Sequence, residues 1–174
     1  MGIRVLGTGS YLTPRVVTND EIAKSLDTSD EWIYSHTGIH SRHMAGEGEC
    51  TSTMAAKAAK AAMEAAHVTP GEIGLIVLAT STPDYNPFPS TACVVQSLLG
   101  CTNAGAFDLQ AACAGFVYAL EQARGFVNFY PDKKARYLRW EGWRRNLRAR
   151  REAFRIALID HLDRVKRRYK EFQK

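Results

Sequence analysis

No uninterrupted apolar run in the chain approaches the 18 or more residues of a membrane-spanning helix, and residues 1–12 lack the basic start and apolar stretch of a secretory leader. A cytoplasmic location is expected on those grounds. The four cysteines, Cys50, Cys93, Cys101 and Cys113, stand 43, 8 and 12 residues apart, so no C-x-x-C pair suggests zinc or a redox dithiol. Free thiols in a reducing compartment are the simpler expectation. The opening Gly7-Thr-Gly9-Ser lacks the third glycine of a dinucleotide loop, because Leu12 stands in its place, and Thr13-Pro14 breaks the helix on which a phosphate would sit. Glycine is nearly absent from the last part of the chain: twelve of the thirteen lie in residues 1–127 and only Gly142 beyond. Acidic residues thin out at the same place. Residues 1–127 hold 7 Lys+Arg against 12 Asp+Glu, whereas residues 128–174 hold 16 against 6, so two composition regimes meet near Val127.

What is present suits a globular protein. A chain of 174 residues that is 45% apolar can bury one core of ordinary size. Residues 3–6 read as a short strand entering a glycine turn. Thr18 or Asn19 caps a helix reaching Leu26, and Thr28-Ser29-Asp30-Glu31 opens another with acidic residues in its first turn. The alanine-rich run 51–67 reads as a helix packed closely on a sheet. Residues 73–80 and 104–109 read as buried strands, with a helix over 89–99 between them. A further helix opens around Cys113 and reaches Val127. Strands alternating with helices predict an α/β fold with an incomplete, mostly parallel sheet, of which these residues supply three strands.

Cys113 is the candidate with chemistry in it. It follows a predicted strand, stands at the start of a helix, and is flanked by small residues and by Gly115. The positive end of a helix favours an anionic sulfur, and small neighbours admit a substrate. A buried, inert cysteine fits the same residues equally well.

Four blocks of sequence decide between these readings. They are Ala-Cys-Ala-Gly-Phe at 112–116; Gly-Thr-Gly-Ser-Tyr at 7–11; Asp-Thr-Ser-Asp-Glu-Trp-Ile at 27–33 with Thr-Gly-Ile at 37–39; and Gly-Leu-Ile-Val-Leu-Ala-Thr at 74–80 with Phe-Pro-Ser at 88–90. In this order and spacing they resemble the first part of a β-ketoacyl-acyl-carrier-protein synthase III, a thiolase-fold condensing enzyme. The resemblance covers residues 1–127 and implies a thiolase-like N-terminal half-domain. It implies that Cys113 accepts the acyl group, that Trp32 stacks on the adenine of coenzyme A, and that Thr28 contacts the same nucleotide. Phe88 matches the phenylalanine that closes the partner subunit's acyl tunnel. Where the family has an arginine for the coenzyme A phosphates this chain has His36, a residue type mostly neutral at pH 7, so a weaker grip is expected there. Acyl-coenzyme A is implied as substrate, with no permanently bound cofactor, acyl carrier protein as a partner, and a homodimer as the assembly.

His36, His40 and His43 have spacings that would align metal ligands on one helix, but Gly38 interrupts it and no acidic or cysteine partner is near in sequence, so no metal site is expected. Cys93 and Cys101 are expected to be small core or cap residues, and Cys50 to lie in a polar loop.

Residues 128–174 do not match the family. Its second half normally supplies a histidine in a His-Gln-Ala-Asn block and a separate asparagine; His161, in Ile-Asp-His-Leu-Asp at 159–163, does not match. Apolar residues from Trp140 to Phe172 recur at gaps of three or four, broken only around Arg150 and Arg151, and Glu141–Arg145, Asp160–Arg164 and Asp163–Arg167 form i,i+4 pairs. A C-terminal basic amphipathic helix is therefore expected, covering sheet and helix faces left bare by missing strands. Nucleic-acid or membrane binding by the same helix is the less favoured use. The function implied is that of a fatty-acid-initiating acyltransferase, with a non-catalytic fold remnant, acting through its basic tail, as the rival.

Overall fold

A computed structural model describes residues 3–129, 136–142 and 154–161. Its centre is β4 (Ile73–Thr80), the continuous apolar run, which is buried on both faces. Alternation divides its side chains: Ile76 and Leu78 join one core cluster, while Leu75, Val77 and Ala79 join another. Helices α3 (Thr51–Ala66) and α4 (Thr91–Leu99) cover the first face, with Met54, Ala58, Ala62, Val95 and Leu99 buried there. Helix α5 (Gly115–Phe129) covers the second through Ala119, Ala123 and Val127. The arrangement is helix on sheet on helix, the α/β architecture expected.

Among the described residues the sheet has five strands in the order β1-β7-β6-β4-β5. β5 (Gly105–Leu109) and β6 (Arg136–Gly142) both pair parallel to β4, whereas β7 (Phe154–His161) pairs antiparallel to β6 and to β1 (Ile3–Tyr11). β5 is an edge strand and only partly covered, not the fully buried strand its apolar run predicts. Among the described residues no helix is long and apolar enough to cross a membrane.

Two expectations need correction. The segment expected to be a glycine turn lies inside β1, which continues through Gly7 and Gly9 with a shift of register between Val5 and Gly7. The reason is a close approach of α3. A Cβ on Gly7 would stand 2.7 Å from the carbonyl oxygen of Ala62 and 2.8 Å from the amide nitrogen of Ala66. Only a strand face without side chains lets an alanine-faced helix lie this near.

The second correction concerns the basic helix expected after residue 127. Residues Arg136–Gly142 and Phe154–His161 are strands, not helix; the rest of that stretch lies outside the described residues. The same letters that recur at three and four also alternate locally, as Leu138 and Trp140 do with Arg139 and Glu141, and Phe154, Ile156 and Leu158 with Arg155 and Ala157. Period alone does not settle such short runs. The free edges of β4 and β1 present unpaired N–H and C=O groups, and pairing them outweighs a helix preference of tenths of a kcal/mol per residue.

Candidate active site

Because β4 and β5 are parallel neighbours, with Ala79 opposite Leu109, the connections that leave them emerge at the same end of the sheet. In open α/β sheets, the carboxyl end of the strands is where ligands bind. The connection after β5 carries Cys113 in a single 3-10 turn, Ala112–Ala114, directly ahead of α5. Ala112 has φ +41°, a left-handed conformation that costs a non-glycine residue about 1–3 kcal/mol. Gly115 explains how the helix can start here: a Cβ on it would stand 3.0 Å from the Cβ of Ala79, so α5 begins pressed on the end of β4. Cys113 itself is exposed. Of the two readings open in the sequence, the buried position of the inert one is not found here.

The connection after β4, residues 81–90, carries Phe88, which is 83% exposed, with Tyr85 exposed beside it in sequence. Two carboxylates that sequence reasoning passed over fix this region. Asp84 accepts from the backbone N–H groups of Thr51 and Ser52 at 2.8 and 2.9 Å, capping α3. Asp108 accepts in the same way from Thr91 and Ala92 at 2.8 and 2.7 Å, capping α4 from within β5. Asp84's own N–H donates to the Thr91 hydroxyl at 2.9 Å. A signal was present for Asp108: a charge inside an otherwise apolar strand needs partners.

Burial acts to raise the Asp84 carboxyl, but hydrogen bonds from Ser52's side chain and backbone, from Cys50 and from Thr51 outweigh it and hold the group below the usual carboxylate value. A depressed folded-state value adds stability that is complete above the unfolded value near 3.8 and is lost as pH falls through the folded one. Asp84→Asn is thus expected to lose about 0.5–2 kcal/mol at pH 7, the usual worth of an N-terminal cap. In urea melts its gap from the parent protein should shrink below about pH 4; a gap constant from pH 7 to pH 3 would contradict the assignment.

The second candidate group sits on a smaller unit. β2 (Arg15–Thr18) and β3 (Ser41–Met44) form a two-stranded antiparallel sheet, with α1 (Asn19–Ala23) and α2 (Asp30–Thr37) between them in sequence. Ser29 caps α2 through the amide of Trp32, and Gly38, in the left-handed region, ends it. The unit has a buried polar centre absent from the sequence reading. Asn19 is fully buried and donates to Asp30 and to the carbonyl of Ile39, both at 2.7 Å; Arg42, also buried, donates to Asn19 and to the carbonyl of Val17. His40 meets the same Asp30 carboxyl at 3.0 Å, and its bond, followed by that of Asn19, holds Asp30 below its usual value. Burial pulls the Arg42 guanidinium down.

On this support Trp32 is 57% exposed, and its ring stacks on His36 with centroids 4.4 Å apart. The His36 Nδ1 lies 2.7 Å from the Trp32 carbonyl oxygen, which can only accept, so Nδ1 carries the proton in that contact. The buried side-chain polar atoms without a hydrogen-bond partner, among the described residues, are Thr28 Oγ1 and Arg42 Nε. The Thr28 hydroxyl oxygen is thus closed off from solvent.

The three histidines do not converge. His40 stacks on Tyr34 at 4.0 Å besides meeting Asp30, and His43 Nδ1 contacts the Thr13 carbonyl. No group of three metal-ligating side chains occurs among the described residues. Of the other thiols, Cys101 is fully buried, and burial pushes it up to about 11. Cys93, expected in the core, is exposed instead, where its sulfur accepts from the Ser90 hydroxyl at 3.0 Å. Cys50 lies at the end of the loop before α3, as expected, and is the N-cap residue of that helix. His161 is the last residue of β7, opposite Ile3.

A cysteine at a strand-to-helix turn, over the carboxyl end of a sheet layered between helices, defines a thiolase-type condensing-enzyme fold. Solved structures agree. The chain superposes on 3-oxoacyl-[acyl-carrier-protein] synthase III from Aquifex aeolicus with a TM-score of 0.84, at 38% identity over 93% of this chain and 55% of that one. On the Pseudomonas aeruginosa enzyme of the same description the TM-score is 0.80, at 34% identity over 94% and 51%. Among curated proteins, it is 55% identical over 125 residues to β-ketoacyl-[acyl-carrier-protein] synthase III from Xylella fastidiosa, covering 72% of this chain and 38% of the relative. Against the Bradyrhizobium protein of that name it is 57% identical over 131 residues, 75% of this chain and 40% of the relative. No family profile matches. The chain belongs to the β-ketoacyl-acyl-carrier-protein synthase III family, and it spans about two fifths of the length of these curated relatives.

Proposed function

We propose that this chain carries the acyl-accepting part of a β-ketoacyl-acyl-carrier-protein synthase III, a condensing enzyme that starts fatty-acid synthesis. In this reading Cys113 attacks the thioester carbonyl of a short acyl-coenzyme A, forming a new thioester and expelling the coenzyme A thiolate. In a complete enzyme, malonyl-acyl-carrier protein then loses carbon dioxide and attacks that thioester. The observation that carries the proposal is the placement of an exposed Cys113 at the start of α5, at the carboxyl end of β4 and β5.

Other features support the finer assignments. Trp32 offers an exposed flat ring to an adenine, Thr28 lies four residues before it in the matched block, and His36 already occupies one face of the ring. Acyl-coenzyme A is then a substrate and not a resident cofactor, and acyl carrier protein the second partner. The open edge of β5, with Phe107 exposed, and the protruding Phe88 support pairing with a second copy, in which Phe88 would reach the partner's acyl site. A division near Val127 is supported by the matched spans of 125 and 131 residues; it is a division of relationship, since β6 and β7 join the one sheet.

Acetyl-coenzyme A with the full chain, followed by peptide mass spectrometry, tests the proposal. Acetyl is expected on Cys113 and is expected to vanish in Cys113→Ala, while Cys101, buried and raised to about 11, stays unmodified until the chain is unfolded. Acetyl on Cys50 or Cys93 in preference, or on no cysteine, would sink it.

A further inference from the structure

The hydrogen bonds around α4 join two loops that the sequence keeps 20 residues and more apart. Thr91 is fully buried and bonded on both sides. Its hydroxyl accepts from the N–H of Asp84, in the connection that carries Phe88, and its own N–H donates to Asp108, in the strand that leads to Cys113. Asp84 is in turn tied to the start of α3, and the Thr51 hydroxyl donates to the carbonyl of Thr82 at 2.9 Å. α4 already has a cap, because Ser90 accepts from the amide of Cys93. The carboxylate from β5 takes the two preceding amides, those of Thr91 and Ala92, and so ties that strand to the start of α4.

β5 is gripped from both faces at its last two residues. Asp108 bonds to α4 on one side, while Leu109 packs with the α5 cluster on the other. Only Gln110, Ala111 and Ala112 separate Leu109 from Cys113, and Ala112 is already in the left-handed region, so little slack remains to absorb a displacement of the strand. A shift of β5 against α4 must then move the sulfur relative to the 81–90 connection.

We infer that Thr91, set between Asp84 and Asp108, is a positioning residue that holds the 81–90 connection and the Cys113 turn in one fixed relation, so that a bound acyl donor meets the thiol. The inference rests on the proposed acyl transfer to Cys113. It differs from a plain structural role in one respect. Reactivity that depends on donor alignment should fall, while reactivity that depends only on an exposed thiol should not, and misplacement by 1 Å can cost about 100-fold in an aligned reaction.

The experiment compares single-turnover acetyl transfer from acetyl-coenzyme A with iodoacetamide alkylation, both read at Cys113, in the full chain and in Thr91→Val and Thr91→Ser. Valine keeps the shape and removes the hydroxyl; serine restores it. Thr91→Val is expected to slow acetyl transfer about tenfold or more with alkylation held within about twofold, and Thr91→Ser to recover most of the rate. Should circular dichroism show that Thr91→Val does not fold, Asp108→Asn replaces it, since an amide nitrogen there faces a backbone N–H, and the same split is expected. An unchanged acetyl rate, a parallel fall in alkylation, a serine variant as slow as the valine one, or failure of both replacements to fold would overturn the inference. Absence of acetyl transfer in the unsubstituted chain would overturn the proposed function as well, whereas transfer there with no effect of the variants would overturn the positioning role alone.

Discussion

Replacing Gly9 with alanine is expected to destabilise the protein by about 3 kcal/mol or more, the upper range for an overpacked interior. The methyl carbon would stand closer to the carbonyl oxygen of Ala58 and the amide of Ala62 than even the Gly7 case, and both obstacles are backbone atoms of α3 that cannot rotate away. Relief requires the helix to lift from β1, which would open the Met54–Ala62 part of the core. With total stabilities of domains usually about 5–15 kcal/mol, such a loss leaves a marginal fold. Gly125→Ala is the internal control. It lies within α5, a Cβ there meets nothing within 4 Å, and alanine should stabilise by about 0.5–1 kcal/mol. Urea unfolding of the two variants checks both signs. A Gly9→Ala protein as stable as the parent would show that the glycines are not there for the helix.

Incubated with acetyl-coenzyme A and malonyl-acyl-carrier protein, these 174 residues are expected to stop at the acyl-enzyme. Acyl transfer needs a nucleophile, the positive end of a helix and a place for the donor, and all of these are proposed to lie within residues 1–127. Decarboxylative attack needs preorganised donors for an enolate, and loss of a single such donor typically costs about 100- to 1,000-fold. Neither the family's histidine block nor its asparagine can be matched in the sequence. His161, the one histidine after residue 127, is instead a strand residue of β7 facing β1 in register. Following the acyl-enzyme and the β-ketoacyl product separately gives the answer. Product formation at about 1 per second or faster would mean that other residues replace those donors.

Where a local pattern was sufficient, sequence and structure agree. β4 was legible end to end, because a run of β-branched and aliphatic residues with no polar break has few other uses. Helix starts at Asp30 and Thr51 were legible from Ser29 and from the alanine run that follows Cys50. Cys113 was legible as a candidate from its small neighbours, although burial and exposure could not be told apart from letters alone. Short runs of mixed character were not legible. Gly7 and Gly9 look like a turn until α3 is laid across them, and residues 136–142 and 154–161 look helical until strand edges wait on both sides.

The sequence by itself determined the chemistry available: one cysteine in a small-residue block at a strand-to-helix junction, one tryptophan in a block that matches the family, and a change of composition near Val127. Those are properties of residues and their neighbours within a few positions, where periodicity and capping act. Only the tertiary structure decided that Thr91 joins Asp84 to Asp108, that Asn19 and Arg42 form a buried centre under α2, and that residues 136–142 and 154–161 pair into the sheet. Partners 7 to 25 residues apart along the chain meet only after strands and helices have packed in register, because a hydrogen bond is specified by position in space and leaves no periodic trace in sequence.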